Sequence, residues 1–524
     1  MPTRLESPSA GPETSLANQN LLFLDVQTTG IRPPTAQVLE LGMVLTSSGA
    51  SKTNVQVSQR FGLRNPENLT KRIREITGLN EEHLAEQPEF DSWMKREFAD
   101  ILEQGFGSIS DRTFIIHGAP FETAFIGSYL RPTDSIICTQ KLTHRLLPHI
   151  PSRNIRAVAG HFGYSLSGPN RAVEFAQATR AIWLGLAQEL KRQGIATWSD
   201  LERLLTAPIK KTLKPKYQYK VASEKRLQIP PGPGVYRMHS AKNEILYVGK
   251  ATSLKSRFNS YFRGRKGREA RKLEMMAQVW DFSYVSCATP LEAALLEVEE
   301  IKKWDPPYNV SLKNKDRKLK YFNRDLSASR DTFDSEFFYG PYRHGSWLEV
   351  LLGLHRAIEQ ENFSPIFFEP LDPVLARDGF ELFKQQFDLV SIDLKQARGL
   401  LALAIRHSRR FPVIEKVEKP EILTVEYLAG KFHRLFQRAG AERKHYNRLA
   451  RLIDCEIHYC WKQQGRSILI QEGKVTKSMA NDHQGDPRVF PLRNFRRKRG
   501  EMSLEQLDFA SVLNSEIERI RISK

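Results

Sequence analysis

The sequence predicts an α/β multidomain protein, and three observations carry that prediction. The chain has 524 residues, more than one hydrophobic core can serve. Residues 20–192 interleave apolar, strand-like runs with helical patterns, as one α/β domain would. Residues 233–250 read PGVYRMHSAKNEILYVGK, in which VYRM and ILYV are β-rich and AKNE is a polar turn. That is the pattern of a hairpin.

In chain order, residues 1–19 are polar, lack the apolar stretch of a signal peptide and are expected to form a disordered leader. Residues 21–45 give two apolar strands around a turn with one glycine and two prolines. Helical spacing is expected near 81–104, 121–130 and 171–192, with a strand at 113–117, so a first domain spans 20–192. Residues 193–228 are lysine-rich and weakly patterned, and read as a basic linker with a short helix at 197–206. The hairpin domain covers 229–355. In it Leu291, Leu295, Val298 and Ile301 fall on one helical face, and 336–355 reads as strand, tight turn and helix. Residues 356–524 are expected to be mostly helical, at 395–410 and 431–463, with a short hairpin at 467–475.

Composition bounds the partner. Charged residues are 27% and hydrophobic residues 40%, an ordinary globular profile. The net charge of +19 points to a polyanion, nucleic acid before membrane. No apolar run reaches the ~18 residues of a membrane span, so no membrane partner is expected. Basic stretches at 209–226, 263–272 and 493–499 are candidates for tracking a phosphate backbone. The cysteines are Cys138, Cys287, Cys455 and Cys460. They form no CxxC pair, and Cys455 and Cys460 are placed on a helix at a poor metal spacing. They are read as reduced thiols of a cytoplasmic protein, with no iron–sulfur cluster.

The chemistry concentrates in 234–309. Hydrolysing a phosphodiester needs an activated water, a cation for the developing charge and a divalent metal on the phosphate. Tyr236 and Tyr247 can position or deprotonate water if a nearby cation lowers a tyrosine pKa of ~10. Lys250 and Arg257 are the candidates for that cation, and Arg257 shares a helical face with Tyr261. One carboxylate suffices for Mg²⁺, which keeps most of its waters. Glu292, Glu297, Glu299 and Glu300 lie on one helix. Periodicity does not choose between Glu297 and Glu299, which border the apolar stripe on opposite sides.

The GVY and YVG triplets resemble the GIY-YIG nuclease family. The pieces PGVYRM, ILYVGKATSLKSRFNSYF, TPLEAALLEVEEIKKWDPPYNV and FYGPY are similar to the nuclease half of the excinucleases UvrC and Cho. The resemblance implies a site of Tyr236, Tyr247, Gly249, Lys250, Arg257, Tyr261, Glu297 and Asn309. In it Glu297 ligates one divalent metal, Mg²⁺ or Mn²⁺, and Tyr247 is the general base. Lys250 and Arg257 hold the phosphate, and Asn309 orients the site. It further implies an endonuclease of nucleotide excision repair that cuts damaged double-stranded DNA 3′ to the lesion, with damage-recognition proteins as partners. Two departures stand out: the cysteine cluster and the second nuclease domain of UvrC are both missing from this sequence.

Residues 20–192 resemble the RNase H-like, DnaQ-type exonucleases of the DEDD class. LLFLDVQTTG, EITGLN, FIIHGAPFETAFI and GPNRAVEFAQATRAIW stand where that family has its motifs. Asp25 matches the first carboxylate. Gln27 replaces a glutamate, Glu122 an aspartate, Asn170 the histidine base and Phe175 the last aspartate. Glu174 is adjacent to that last position but ~100° around the helix. Two carboxylates do not readily hold two divalent ions, so this domain is expected to be inactive and to serve as a scaffold for DNA or a partner. Another DNA-processing role, or residual 3′–5′ exonuclease activity, is the alternative.

Overall fold

The computed structural model describes residues 16, 20–47, 52–106, 112–208, 217–263, 269–313, 319–343, 345–359, 372–389, 396–411, 422–492 and 502–522. Nearly all of the expected leader lies outside them, as do 209–216, 264–268 and 493–500, the cores of the three basic stretches. Packing divides the chain into two compact units. One comprises Met1–Gly232, Tyr236–Ser286 and Pro306–Tyr308. The other comprises Pro233–Val235, Cys287–Asp305 and Asn309–Lys524.

The first unit begins with a five-stranded sheet: β1 (Leu21–Thr28), β2 (Val38–Ser47), β3 (Lys52–Arg60), β4 (Thr113–Ile116) and β5 (Ser135–Cys138), in the order β3-β2-β1-β4-β5. β1 pairs antiparallel with β2 and parallel with β4. Its LLFLDVQT run is apolar on both faces because both are covered. Leu21 and Phe23 enter one core, shared with Ile182 and Trp183. Leu22, Leu24 and Val26 enter another, shared with Trp93 and Phe98. Around the sheet lie α1 (Ala119–Ile126), α2 (Ile155–His161) and α3 (Ala172–Arg192). The 81–104 region is not one helix but several short pieces, including a π-turn at Met94–Phe98.

Helix α4 (Trp198–Thr206), read as part of a linker, packs onto the same core. Trp198 is 2% exposed and stacks on Trp183 with centroids 6.3 Å apart.

Next come β6 (Gly234–His239) and β7 (Ile245–Ala251), the expected hairpin strands, with α5 (Leu254–Ser260), α6 (Ala270–Gln278) and β8 (Asp281–Ser286). The sheet order is β7-β6-β8, so the GVY strand is central. Within this unit α2 packs on α6, and Ala277 of α6 joins the core beside α3. The Trp280 indole donates to the Gly160 carbonyl at 2.8 Å. A Cβ on Gly160 would sit 2.2 Å from Gln278 Cγ, so the helices approach this closely only over a glycine.

The second unit opens with α7 (Pro290–Trp304), capped by Thr289. It continues through the sheet β10-β9-β11 made by β9 (Leu319–Asn323), β10 (Ser329–Arg330) and β11 (Phe337–Arg343). Then follow α8 (Trp347–Glu359), α9 (Pro373–Gln386), α10 (Ala397–Arg410) and α11 (Val425–Arg451). The helix expected over 431–463 stops at Arg451. CEIHYCW instead alternates buried and partly exposed residues as β12 (Cys455–Trp461). Cys455 and Cys460 are therefore on a strand. β12 lies in a four-stranded sheet, β14-β13-β12-β15, with β13 (Gln464–Gln471), β14 (Lys474–Asn481) and β15 (Arg488–Pro491). The short hairpin expected at 467–475 is the turn between β13 and β14. Helix α12 (Leu504–Ile522) packs on α7.

Candidate nuclease site

Three tyrosines meet beside the hairpin. Tyr236 projects from β6, Tyr247 from β7, and Tyr261 follows α5. The Tyr236 and Tyr261 hydroxyls are 2.9 Å apart. Ring centroids are 6.2 Å apart for Tyr236–Tyr247 and 6.3 Å for Tyr247–Tyr261. Gly249 makes this possible, since a Cβ there would lie 2.5 Å from the Tyr236 hydroxyl oxygen and 2.8 Å from Tyr247 Cε1. The glycine of the YVG triplet thus gives the rings room to converge.

Arg257 completes the cluster, with its guanidinium 5.6 Å from the Tyr261 ring centroid. Burial pushes the Tyr236 hydroxyl well above its usual pKa, and the neighbouring Tyr261 and Tyr247 add to the effect. Tyr236 is 1% exposed and keeps its proton, so it is a hydrogen-bonding group and not a base. Burial alone would lower the Arg257 pKa, but the oxygens of Tyr236 and Tyr261 outweigh it. Arg257 is a fixed cation. Lys250, near the end of β7, is half-buried.

The glutamates of α7, in the second unit, differ in environment. Glu292 accepts from Arg466 at 2.8 Å and from Ser478 at 2.6 Å, so it is committed to those groups. Glu299 is exposed, Glu300 buried and Glu297 half-buried. Periodicity left Glu297 and Glu299 equivalent; exposure separates them. Asn309 is buried. Its neighbour Tyr308 belongs to the first unit, donates from its backbone N–H to the Leu246 carbonyl at 3.1 Å, and bonds Glu274 through its hydroxyl at 2.6 Å. Sequence reasoning passed over Tyr308, although it stands inside the PPYN string.

A second site lies in the exonuclease-like sheet, at a cavity of about 270 Å³ lined by Asp25, Gln27, His117, Glu122 and Phe175 among others. Asn170 is not among the lining residues: Arg156 donates to its side-chain oxygen at 2.8 Å. Arg156 also stands 5.4 Å from the Phe175 ring centroid. Glu174 is exposed, as its helical phase implies. The Gln27 amide donates to Asp25 at 2.7 Å. Burial raises the Asp25 pKa well above the usual carboxylate value. Burial and the Asp25 charge together push Glu122 up to about 9.

His117 is a pocket residue that sequence reasoning missed, though it sits within FIIHGAPFE. Its Nε2 donates to the Arg153 carbonyl at 2.9 Å, and its Nδ1 is 2.9 Å from the Thr139 hydroxyl. Burial lowers its pKa to about 4, so the ring is neutral with both nitrogens engaged. No cluster of three or more His, Cys, Asp or Glu residues placed to hold a metal occurs among the described residues.

Comparison with known proteins matches both regions. A family model for a UvrC-like GIY-YIG domain covers residues 232–310, and one for an exonuclease covers 22–179. Among curated relatives, a Mycobacterium tuberculosis protein named "Putative bifunctional exonuclease/endonuclease protein MT2247" is 28% identical over 313 residues, covering 57% of this chain and 45% of that one. The UvrABC system protein C of Moorella thermoacetica is 39% identical over 143 residues, 26% of this chain and 23% of that one. The chain thus spans less than half the length of either relative. The magnesium-bound GIY-YIG endonuclease domain of UvrC from Thermotoga maritima is 31% identical. That match covers 17% of this chain and 93% of that domain, with a TM-score of 0.15.

Proposed function

We propose that this chain, which carries an exonuclease domain followed by a UvrC-like GIY-YIG domain, is a metal-dependent DNA endonuclease of nucleotide excision repair. Its reaction is one phosphodiester incision in damaged double-stranded DNA, on the 3′ side of the lesion. Damage-recognition proteins of excision repair deliver the substrate. The observation that carries this reading is the convergence of Tyr236, Tyr247, Tyr261 and Arg257 over Gly249.

In this reading Tyr247 acts as its phenolate, an ionisation the adjacent Arg257 cation favours, and takes the proton of the attacking water to become the neutral phenol. Tyr236, locked to Tyr261, holds that water in line. Arg257 and Lys250 neutralise charge that develops on the phosphate. Glu297 and Asn309 come from the resemblance, with Glu297 as the protein ligand of a divalent ion. A single carboxylate fits a Mg²⁺ that retains its waters, and the chemistry such an ion supplies is Lewis-acid polarisation of the scissile phosphate.

The exonuclease domain is read as catalytically silent. Gln27 occupies one lone-pair direction of Asp25, Phe175 offers no ligand, and Asn170 is held by Arg156. The decisive experiment is nicking of a lesion-containing duplex by the full chain, with and without Mg²⁺ or Mn²⁺ and the damage-recognition proteins. Incision 3′ to the lesion that needs metal and disappears in Glu297→Ala is the expected result. Equal cutting of undamaged DNA would refute the repair assignment.

A further inference from the structure

We propose that the C-terminal region is the frame that holds helix α7, and with it Glu297, in the geometry for metal binding. Tyr459, Arg466 and Asp508 act as positioning residues. The inference rests on the reading of Glu297 as the metal ligand.

Three polar contacts grip α7. At its N-terminus the Thr289 cap hydroxyl meets the Tyr459 hydroxyl at 2.7 Å, with both residues buried. One turn on, the Glu292 carboxylate accepts from Arg466 of β13 at 2.8 Å and from Ser478 of β14 at 2.6 Å. Near the C-terminus Lys302 pairs with Asp508 of α12 at 2.6 Å, with side chains only 9% and 8% exposed. Between these points Leu291 and Leu295 enter the core built by α8 to α12 and the four-stranded sheet.

These groups occupy one side of the helix. At ~100° per residue Glu297 lies ~140° around the axis from Glu292. The helix is therefore fixed by one face and carries Glu297 on another. A carboxylate that alone supplies the protein's share of a metal's ligands depends on how rigidly its backbone is held, because Mg²⁺ tolerates little deviation from octahedral geometry. Lys302–Asp508 adds a directional constraint: a buried ion pair is costly to break by removing one partner.

The test uses the full chain with Mn²⁺ as the probe, read by electron paramagnetic resonance, alongside Mg²⁺-dependent nicking and amide exchange of residues 290–304. Tyr459→Phe deletes one hydroxyl and should leave the fold intact. Arg466→Ala removes the arginine's hydrogen bond to Glu292, leaving that of Ser478, and Asp508→Asn removes the charge that pairs with Lys302. We expect the Mn²⁺ half-saturation point to rise about tenfold in Arg466→Ala and Asp508→Asn, the scale seen for groups that orient metal ligands. A smaller rise is expected in Tyr459→Phe, with amide protection of 290–304 reduced and DNA affinity unchanged. The charge swap Lys302→Asp with Asp508→Lys should restore part of the metal affinity.

Loss of the Mn²⁺ signal in Glu297→Ala, combined with wild-type Mn²⁺ binding and nicking in all three frame variants, would overturn the frame proposal alone. An unchanged Mn²⁺ signal in Glu297→Ala would overturn the reading of Glu297 and the frame proposal with it. If Asp508→Asn does not fold, Tyr459→Phe and Arg466→Ala decide.

Discussion

Asn154 and Glu274, 120 residues apart in the chain, are joined by a 2.5 Å hydrogen bond from the asparagine amide to the carboxylate. The same carboxylate accepts from the Tyr308 hydroxyl at 2.6 Å. A residue of the exonuclease-like domain thus reaches, through one glutamate, the PPYN segment of the nuclease domain.

That seam is tight enough to be tested by bulk. Gly160→Leu would drive a side chain into Gln278 Cγ and Cβ, both within 2.8 Å of the new Cβ. Overpacking of this kind costs ~1–3 kcal/mol. The unfolding temperature of the full chain should fall, and nicking should fall with it. Unchanged stability would show that the two helices separate freely.

Gly249→Ala is expected to fold and to lose nicking. Its Cβ collides with the Tyr236 hydroxyl and the Tyr247 ring, and a displacement of ~1 Å at a reacting centre can cost ~100-fold. DNA affinity should persist, because backbone contacts by lysine and arginine dominate it. Single-turnover nicking with a parallel filter-binding measurement separates the two. Near-normal nicking in Gly249→Ala would remove the tyrosine cluster from the mechanism.

Tyr236→Phe breaks the hydroxyl pair with Tyr261 and removes no charge, since Tyr236 keeps its proton. The rate should drop while the pH profile keeps its shape. A profile that shifts by a unit or more would make Tyr236 the titrating group.

His117 gives a pH prediction for stability. Its pKa falls from an unfolded value near 6.5 to about 4 in the fold. The unfolded chain therefore binds the proton first as pH drops, and its stabilising contribution, present above 6.5, is lost down to about 4. The slope is at most ~1.4 kcal/mol per pH unit. Urea midpoints at pH 7.5, 6 and 5 should decline less steeply in His117→Gln than in the wild type. Parallel curves would contradict the assignment.

The exonuclease domain should not shorten single strands from the 3′ end with Mg²⁺ or Mn²⁺. The full chain carrying Glu297→Ala is the proper material, since a cut after residue 195 would strip Trp198 from Trp183. Progressive shortening, abolished by adding Asp25→Ala, would mean that Asp25 and Glu122 retain a working metal site.

The sequence made some of this legible and hid the rest for physical reasons. Helix α3 was readable because its apolar period persists over 21 residues. The hairpin strands were readable because β-branched and aromatic residues flank a polar turn. β5 was missed because four residues carry too little pattern. β12 was mistaken for helix because it follows a 27-residue helix after a break of only three residues. Of the positions matched to the exonuclease motifs, Asp25, Gln27, Glu122 and Phe175 line one cavity, and Asn170 does not, because its side chain turns to Arg156. The choice of Glu297 over Glu299 came from the resemblance and not from helical period, because the two flank the apolar stripe symmetrically; in the fold Glu299 is exposed and Glu297 half-buried.

The stacking of Trp198 on Trp183 bears on how the two nuclease-type domains stay together. Helix α4 is fastened to the first core, and the Gln218 N–H bonds the His149 carbonyl at 3.1 Å. Both of these points lie on the exonuclease-like domain, and Tyr219 and Val221 already pack in the core of the hairpin domain, so only a few residues of what was read as a 36-residue tether pass from one domain to the other. A link that short keeps the domains at a local concentration on the order of millimolar. Contacts too weak to join two free proteins suffice to keep a covalently joined pair docked. Fusion thus lets a seam of a few hydrogen bonds and one close helix pair stand in for a more extensive interface, and mutations there would loosen the docking by degrees and would not dissociate it outright.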